Sequence, residues 1–307
     1  MLSVIIPAFN EEDNVLNVAG RIKEVLNDNK ISFEIIFIDD GSADGTWAVI
    51  NGLKDKNIRG IRFSRNFGKE GAIFAGLGAA KGNCVLVIDC DLQHPPELIP
   101  RMYGFWREGY EVVEAKKQSR GRESFFYKLC SKLFYKIMES SSNIDVKRAS
   151  DFKLLDRKAV DALLRLPERL TFFRALSSWI GFKTIEIEFE VAPRTSGKTK
   201  WNYKKLISFA ISNLTSFSNV PMQFITFAGI IFLIFAFILG SYTIVEFVQG
   251  KSLAGYPTTV LLILIVGSFL MIGLGVIGYY ISKIYEEIKF RPRFIIKEEV
   301  GESDVEE

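Results

Sequence analysis

Val85-Leu-Val-Ile-Asp89-Cys-Asp91-Leu-Gln93-His-Pro-Pro-Glu97 is an apolar run that stops at two acids spaced i, i+2, followed by a Pro-Pro pair. Apolar residues bounded by such a turn signal read as a buried strand. In open α/β sheets, ligands bind outside the carboxyl ends of the strands. Asp89, Asp91 and the Gln93 amide at such an end make a hard-oxygen donor set. That set suits Mg2+ or Mn2+, with substrate phosphates completing the coordination. A solvated Asp-rich turn is the alternative, and the flanking sequence decides between them.

Residues 1–115 alternate short apolar runs with helical patterns. Leu2–Ile6, Phe33–Ile38, Gly60–Phe63, Cys84–Ile88 and Tyr110–Ala115 are the strand candidates. Amphipathic stretches such as Glu11–Asn27 and Gly68–Lys81 lie between them. This alternation predicts an α/β domain with a mainly parallel sheet and right-handed crossovers. Asn10, before Glu11-Glu12-Asp13, reads as a helix start with acids in the first turn. The first strand is followed by Pro7-Ala-Phe9-Asn10-Glu11, the second by Asp39-Asp40-Gly41-Ser42-Ala-Asp44-Gly-Thr46. With Asp89–Gln93 this puts acids after three strands, all at one edge of a parallel sheet. Three acidic strand ends together favour a crevice for a cation and a nucleotide over a decorated surface.

The composition excludes several classes. A net charge of +3 over 307 residues is too small for a nucleic-acid binder. Cys84, Cys90 and Cys130 are the only cysteines and His94 the only histidine, without zinc spacing and with an odd thiol for any disulfide framework. The start, Met1-Leu-Ser-Val-Ile-Ile-Pro7, lacks the basic n-region of a signal peptide.

Residues 116–150 are basic, with apolar residues at helical spacing from Phe125 to Met138. The segment reads as a helix that binds an anionic head group or the membrane surface, or equally as a docked helix with a solvated lysine face. Asp151–Arg157 reads as a short strand, Lys158–Leu166 and Pro167–Trp179 as helices, and Phe182–Glu190 as a half-exposed strand. Arg194-Thr-Ser-Gly197-Lys198-Thr-Lys200 is a basic, glycine-containing loop of a kind that can close over a diphosphate. Leu206–Asn219 is amphipathic. Met222–Val245 and Thr258–Ile281 carry no charge and are each long enough to cross a bilayer, which takes about 20 apolar residues. Lysines and arginines flank this hairpin on both outer sides, so both termini are expected in the cytoplasm. The expected organisation is a cytosolic domain over 1–200, an interfacial helix over 201–221, a hairpin over 222–282 with spans at about 222–245 and 258–281, and a cytosolic tail over 283–307. The acidic end, Glu298–Glu307, reads as mobile.

Pro7-Ala-Phe-Asn-Glu-Glu, Asp39-Asp-Gly-Ser-x-Asp-x-Thr46 and Asp89-x-Asp-Leu-Gln-x-Pro-Pro-Glu97 resemble the family 2 glycosyltransferases of GT-A fold. Asp151-Phe-Lys-Leu-Leu-Asp-Arg157, Glu168-Arg, Trp179-Ile-Gly-Phe182, Arg194-x-x-Gly-Lys-Thr-Lys200 and the hairpin narrow the resemblance. The chain is similar to the polyprenyl-phosphate glycosyltransferases, the bactoprenol glucosyltransferase and dolichyl-phosphate mannose synthase group, from Leu2 to about Arg293.

The resemblance implies a nucleotide-sugar donor, foremost UDP-glucose, a polyprenyl-phosphate acceptor such as undecaprenyl phosphate, and inversion at the anomeric carbon. It implies that Pro7, Phe9, Glu11 and Asp39 hold the nucleoside, with Asp40 beside them. Asp89, Asp91 and Gln93 bind Mg2+ or Mn2+ and the donor diphosphate, and Arg194 and Lys200 clamp that diphosphate. Arg120, Arg122 and Lys132 take the acceptor phosphate, and Asp151 stands at the reacting centre. His94 occupies a position where many relatives carry an acid, and it is expected to turn away. The resemblance also implies a bacterial cell membrane protein and a homo-oligomer, a tetramer packed through the membrane segments being one form. A GDP-mannose donor, a processive polysaccharide synthase and a non-catalytic membrane scaffold are the competing readings.

Overall fold

The apolar runs of the N-terminal part become strands because each is short, rich in β-branched residues and bounded by polar turns. The computed structural model describes residues 1–117, 150–167, 172–189, 256–301 and scattered positions between 225 and 249. The runs are β1 (Leu2–Ala8), β2 (Phe33–Asp39), β3 (Ile58–Phe63), β4 (Cys84–Val87) and β5 (Val112–Lys117). With β6 (Lys153–Asp156), β7 (Thr184–Phe189) and β8 (Ile296–Val300) they form one sheet, ordered β7-β5-β6-β4-β1-β2-β3-β8. β1 pairs in parallel with β2 and β4, β2 with β3, and β5 with β7. β6 runs antiparallel to β4 and β5, and β8 antiparallel to β3.

Every residue of β2 and β4 is buried, as central strands covered on both faces must be. Val4, Ile6, Ile35, Phe37 and Leu86 join one core with α1 (Glu12–Asp28), α2 (Thr46–Gly52) and α4 (Ile99–Arg107). α1 contributes Val15, Val18, Ala19, Ile22, Val25 and Leu26, a helical i, i+3, i+4, i+7 stripe. α3 (Lys69–Ala79) packs on β1 and β2, where Gly76 meets Ile5. α5 (Arg157–Arg165) lies against α3 and against α6 (Phe173–Trp179).

Two local expectations are corrected. Asn10 does not cap α1, whose N-cap position is Glu11. Asn10 sits at φ 55 instead, with its Oδ1 accepting from Ala43 N at 2.9 Å and its own N–H donating to Ser42 Oγ at 2.9 Å. Tying the loop after β1 to the loop after β2 wins over local capping. The C-terminal acids are not all loose either, because Glu298 and Glu299 lie in β8. Trp47 Nε1 donates to Glu298 Oε2 at 2.8 Å, and Phe294 stacks on Phe63 at 5.0 Å.

The chain divides into two compact units, and all the strands belong to the first. The second includes Lys204–Phe290 and contains α7 (Tyr256–Ile288). Within α7, Ile265–Ile288 is long and apolar enough to cross a membrane, with a mean hydropathy of 1.8 and no buried share. It is the one such helix among the described residues. The scattered positions described in the other expected span, Ile225, Phe227 and Ile234 among them, are helical. The basic segment 118–149, the loop 190–200 and the interfacial segment 201–221 lie outside the described residues, and with them Arg120, Arg122, Lys132, Arg194 and Lys200.

Candidate active site

β1 lies between β2 and β4, so the chain direction around it switches between β1 and β4. The carboxyl ends flanking such a switch point form a crevice. A cavity of about 350 Å³ opens there. The segment after β1 supplies Pro7, Phe9 and Glu11 to it, the segment after β2 supplies Asp40, and that after β4 supplies Asp89, Cys90 and Asp91. Asn66, Gly68 and Lys69 close it from the loop that leads into α3.

The loop is held by Asp40. This buried carboxylate accepts from Phe67 N at 2.6 Å and Gly68 N at 2.9 Å. Burial lifts its pKa above the usual range, and the two N–H donors pull against that rise. Gly41, at φ +67, makes the approach possible, since a Cβ there would lie 2.5 Å from the Arg65 carbonyl carbon. Asp39 sits behind the cavity. Its Oδ1 accepts from Ser42 N at 3.0 Å, and its Oδ2 lies 3.4 Å from Arg62 Nε. Asp91 Oδ1 accepts from Gln93 N at 3.1 Å.

Asp89 and Asp151 share a cation. Lys69 Nζ lies 2.5 Å from Asp89 Oδ1 and 2.6 Å from Asp151 Oδ2. Arg174, on α6, adds a bidentate fork, with Nε to Asp151 Oδ1 at 2.7 Å and Nη2 to Oδ2 at 2.8 Å. Burial works against the charge on Asp151, but Lys69 and Arg174 hold it far below the usual carboxylate range. Asp89 is likewise held low, with Lys69 the main counterweight to its burial. His94 does not line the cavity. It is buried, stacks on Phe152 at 5.1 Å, and places Nδ1 4.0 Å from Asp89 Oδ2.

The structure thus brings Pro7, Phe9, Glu11, Asp40, Asp89 and Asp91 to one cavity, and connects Asp151 to it through Lys69. Asp39 and Gln93 stand beside it without lining it. Lys69, Glu70 and Arg174 were missed by sequence reasoning. Their signal is faint: Lys69-Glu70 stands just before the apolar stretch Gly71–Ala80, and Arg174 is one polar residue in a helical pattern.

An acidic cavity at the switch point of a mainly parallel sheet stands where an open α/β domain takes its ligand. Residues 3–164 match glycosyl transferase family 2. The chain is 40% identical over 301 residues to an uncharacterized glycosyltransferase of Synechocystis sp., covering 97% of this chain and 95% of that one. It is 38% identical over 300 residues to a prophage bactoprenol glucosyl transferase homolog of Escherichia coli K12, covering 96% and 98%. It is 37% identical over 302 residues to the bactoprenol glucosyl transferase of Shigella phage SfV, covering 97% and 98%. Glucosyl-3-phosphoglycerate synthase from Mycobacterium tuberculosis, solved with Mn2+, UDP-glucose and phosphoglyceric acid, shares the fold at a TM-score of 0.50 and 20% identity, over 71% of this chain and 78% of that one. The chain belongs to glycosyl transferase family 2 and is a glycosyltransferase of GT-A fold.

Proposed function

We propose that this chain transfers a sugar, glucose from UDP-glucose, onto undecaprenyl or a related polyprenyl phosphate with inversion at the anomeric carbon, for modification of a cell-envelope glycan. The near-full-length similarity to bactoprenol glucosyl transferases carries the reading.

In this reading Pro7, Phe9, Glu11 and Asp39 hold the nucleoside, and Asp40 keeps the loop before α3 over it. Asp91, with Asp89 and Gln93, holds Mg2+ or Mn2+. The two carboxylates fit, since they line the cavity and are hard oxygen ligands, and the Gln93 amide stands beside it. The donor diphosphate would complete the shell, as substrate phosphates do at Mg2+ sites. A divalent ion held by these residues would offset the charge that builds on the leaving diphosphate. Arg194 and Lys200 add fixed positive charge to the same group. Arg120, Arg122 and Lys132 receive the acceptor phosphate. That phosphate is largely ionised near neutral pH, its second pKa being about 6. One of its oxygens forms the bond to the anomeric carbon as the bond to UDP breaks, and no strong base is needed. Asp151 orients the reacting groups.

Spans at about 222–245 and 258–281 hold the protein in the bacterial cell membrane with both termini cytoplasmic, so the lipid phosphate arrives laterally. A homo-oligomer packed through these spans completes the picture. The test is radiolabelled transfer by membranes containing the full chain, given polyprenyl phosphate and a panel of nucleotide sugars. A mild-acid-labile lipid product from UDP-glucose is expected, and Asp91→Ala or a chelator removes it. No lipid-linked product from any donor sinks the reading.

A further inference from the structure

The helix that carries Arg174 is tied to the reacting centre at three points. Arg174 Nε and Nη2 grip the two oxygens of Asp151 at 2.7 and 2.8 Å. At the start of α6, the Phe173 N–H donates to Glu70 Oε2 at 2.8 Å, and Glu70 follows Lys69 directly on α3. Further along α6, Ser177 Oγ accepts from Lys153 Nζ at 2.8 Å. Lys153 is fully buried and stands on β6, two residues after Asp151. The two flanking ties hold α6 on either side of the Arg174 contact.

Asp151 is 3% exposed, and both its oxygens are engaged. The Arg174 fork takes one N–H to each, and Lys69 Nζ adds a third donor on Oδ2 at 2.6 Å. A bidentate guanidinium fixes the plane of a carboxylate as well as its position, which a lysine in its place does not. Lys69 then carries the order on to Asp89 at 2.5 Å. Arg174 does not line the cavity, whereas Lys69 and Asp89 do. Its influence on the chemistry therefore passes through Asp151 and Lys69.

We propose that Arg174 is a positioning residue for sugar transfer: its fork on Asp151, extended by Lys69 to Asp89, sets the orientation of both carboxylates at the reacting centre, and α6 is the strut that holds it there. The proposal rests on the glycosyl-transfer reading above. A displacement of about 1 Å at a reacting centre costs on the order of 10²-fold in rate, which sets the size of the effect.

The experiment compares the full-length parent with Arg174→Ala and Arg174→Lys in membranes. It measures kcat and the KM for nucleotide sugar and for lipid phosphate, with a thermal melt of each variant as the folding check. Arg174→Ala is expected to lose about 10²-fold in kcat with both KM values unchanged, the signature of an interaction realised in the transition state. Added guanidinium ion restores part of the loss. Arg174→Lys stays low, because an ammonium offers no fork. Parental kcat in Arg174→Ala overturns the proposal, as does a folded variant that guanidinium does not rescue. A loss confined to the KM for lipid phosphate also overturns it, making Arg174 a direct phosphate ligand. If Arg174→Ala does not fold, Arg174→Lys decides: parental kcat in the folded variant overturns, low kcat supports. An inactive parent sinks the glycosyl-transfer reading and this proposal together, whereas an active parent with an equally active Arg174→Ala sinks this proposal alone.

Discussion

Lys153 is a charged side chain in a strand core where an apolar one would pack. Burial pulls its pKa below the lysine range, and Glu114, opposite it on β5 with Oε1 3.4 Å from Nζ, pulls it back. Removing one member of such a buried pair costs about 3–5 kcal/mol, because the other charge is left uncompensated. Glu114→Gln should therefore lower the urea midpoint strongly, while Glu114→Leu combined with Lys153→Met should sit much nearer the parent. An additive double variant would show that the two charges do not depend on each other. Glu70 gives a pH-dependent counterpart. Burial, reinforced by the nearby Asp151, raises its pKa from 4.5 to about 7, against the Phe173 N–H. A raised acid keeps its proton in the fold longer than in the unfolded chain. Its contribution to stability is thus fully present below about 4.5 and is lost as pH rises through about 7. Glu70→Gln, which keeps an acceptor for Phe173, should gain thermal stability over the parent at pH 8 and show little difference at pH 4. Equal effects at both pH values would count against a protonated Glu70.

At the scale of elements, α3 decides the site because it delivers Lys69 and Glu70. Its apolar residues say it is buried, and Gly76 says how closely, since a Cβ there would overlap Ile5 Cγ2 on β1. Gly76→Ala should cost about 1–3 kcal/mol through overpacking, read as a lower denaturant midpoint at unchanged slope. A neutral substitution would mean that α3 can ride up off the sheet without consequence. β8 is the element that sequence reading missed. Ile296-Lys-Glu-Glu-Val300 alternates poorly, and its acids look like tail. It becomes a strand because β3 presents a free edge and because Arg62 lies 3.3 Å from Glu298 Oε1 while reaching Asp39 Oδ2 at 3.4 Å. Such partners lie more than two hundred residues apart, so no local pattern could announce them.

For the whole molecule, the reading as a membrane enzyme with two spans makes a topological prediction. Tags before Met1 and after Glu307 should both be cut by protease in inverted vesicles and protected in right-side-out spheroplasts. A reporter inserted between the spans, near Lys251, should show the reverse. Tags on opposite sides would leave an odd number of crossings and overturn the hairpin.

The sequence by itself determined the mainly parallel α/β domain, because hydrophobic period and turn chemistry are local properties. It also determined that acids follow β1, β2 and β4 at one edge, since parallel strands fed by right-handed crossovers must end on the same side. Only the tertiary structure decided which charges pair there. Lys69 reaches Asp151 across 82 residues and Arg174 reaches it across 23, while His94 turns inward beneath Asp89. Such pairings depend on how α3 and α6 dock on the sheet. Docking is set by packing between surfaces distant in the chain, which residue spacing does not encode.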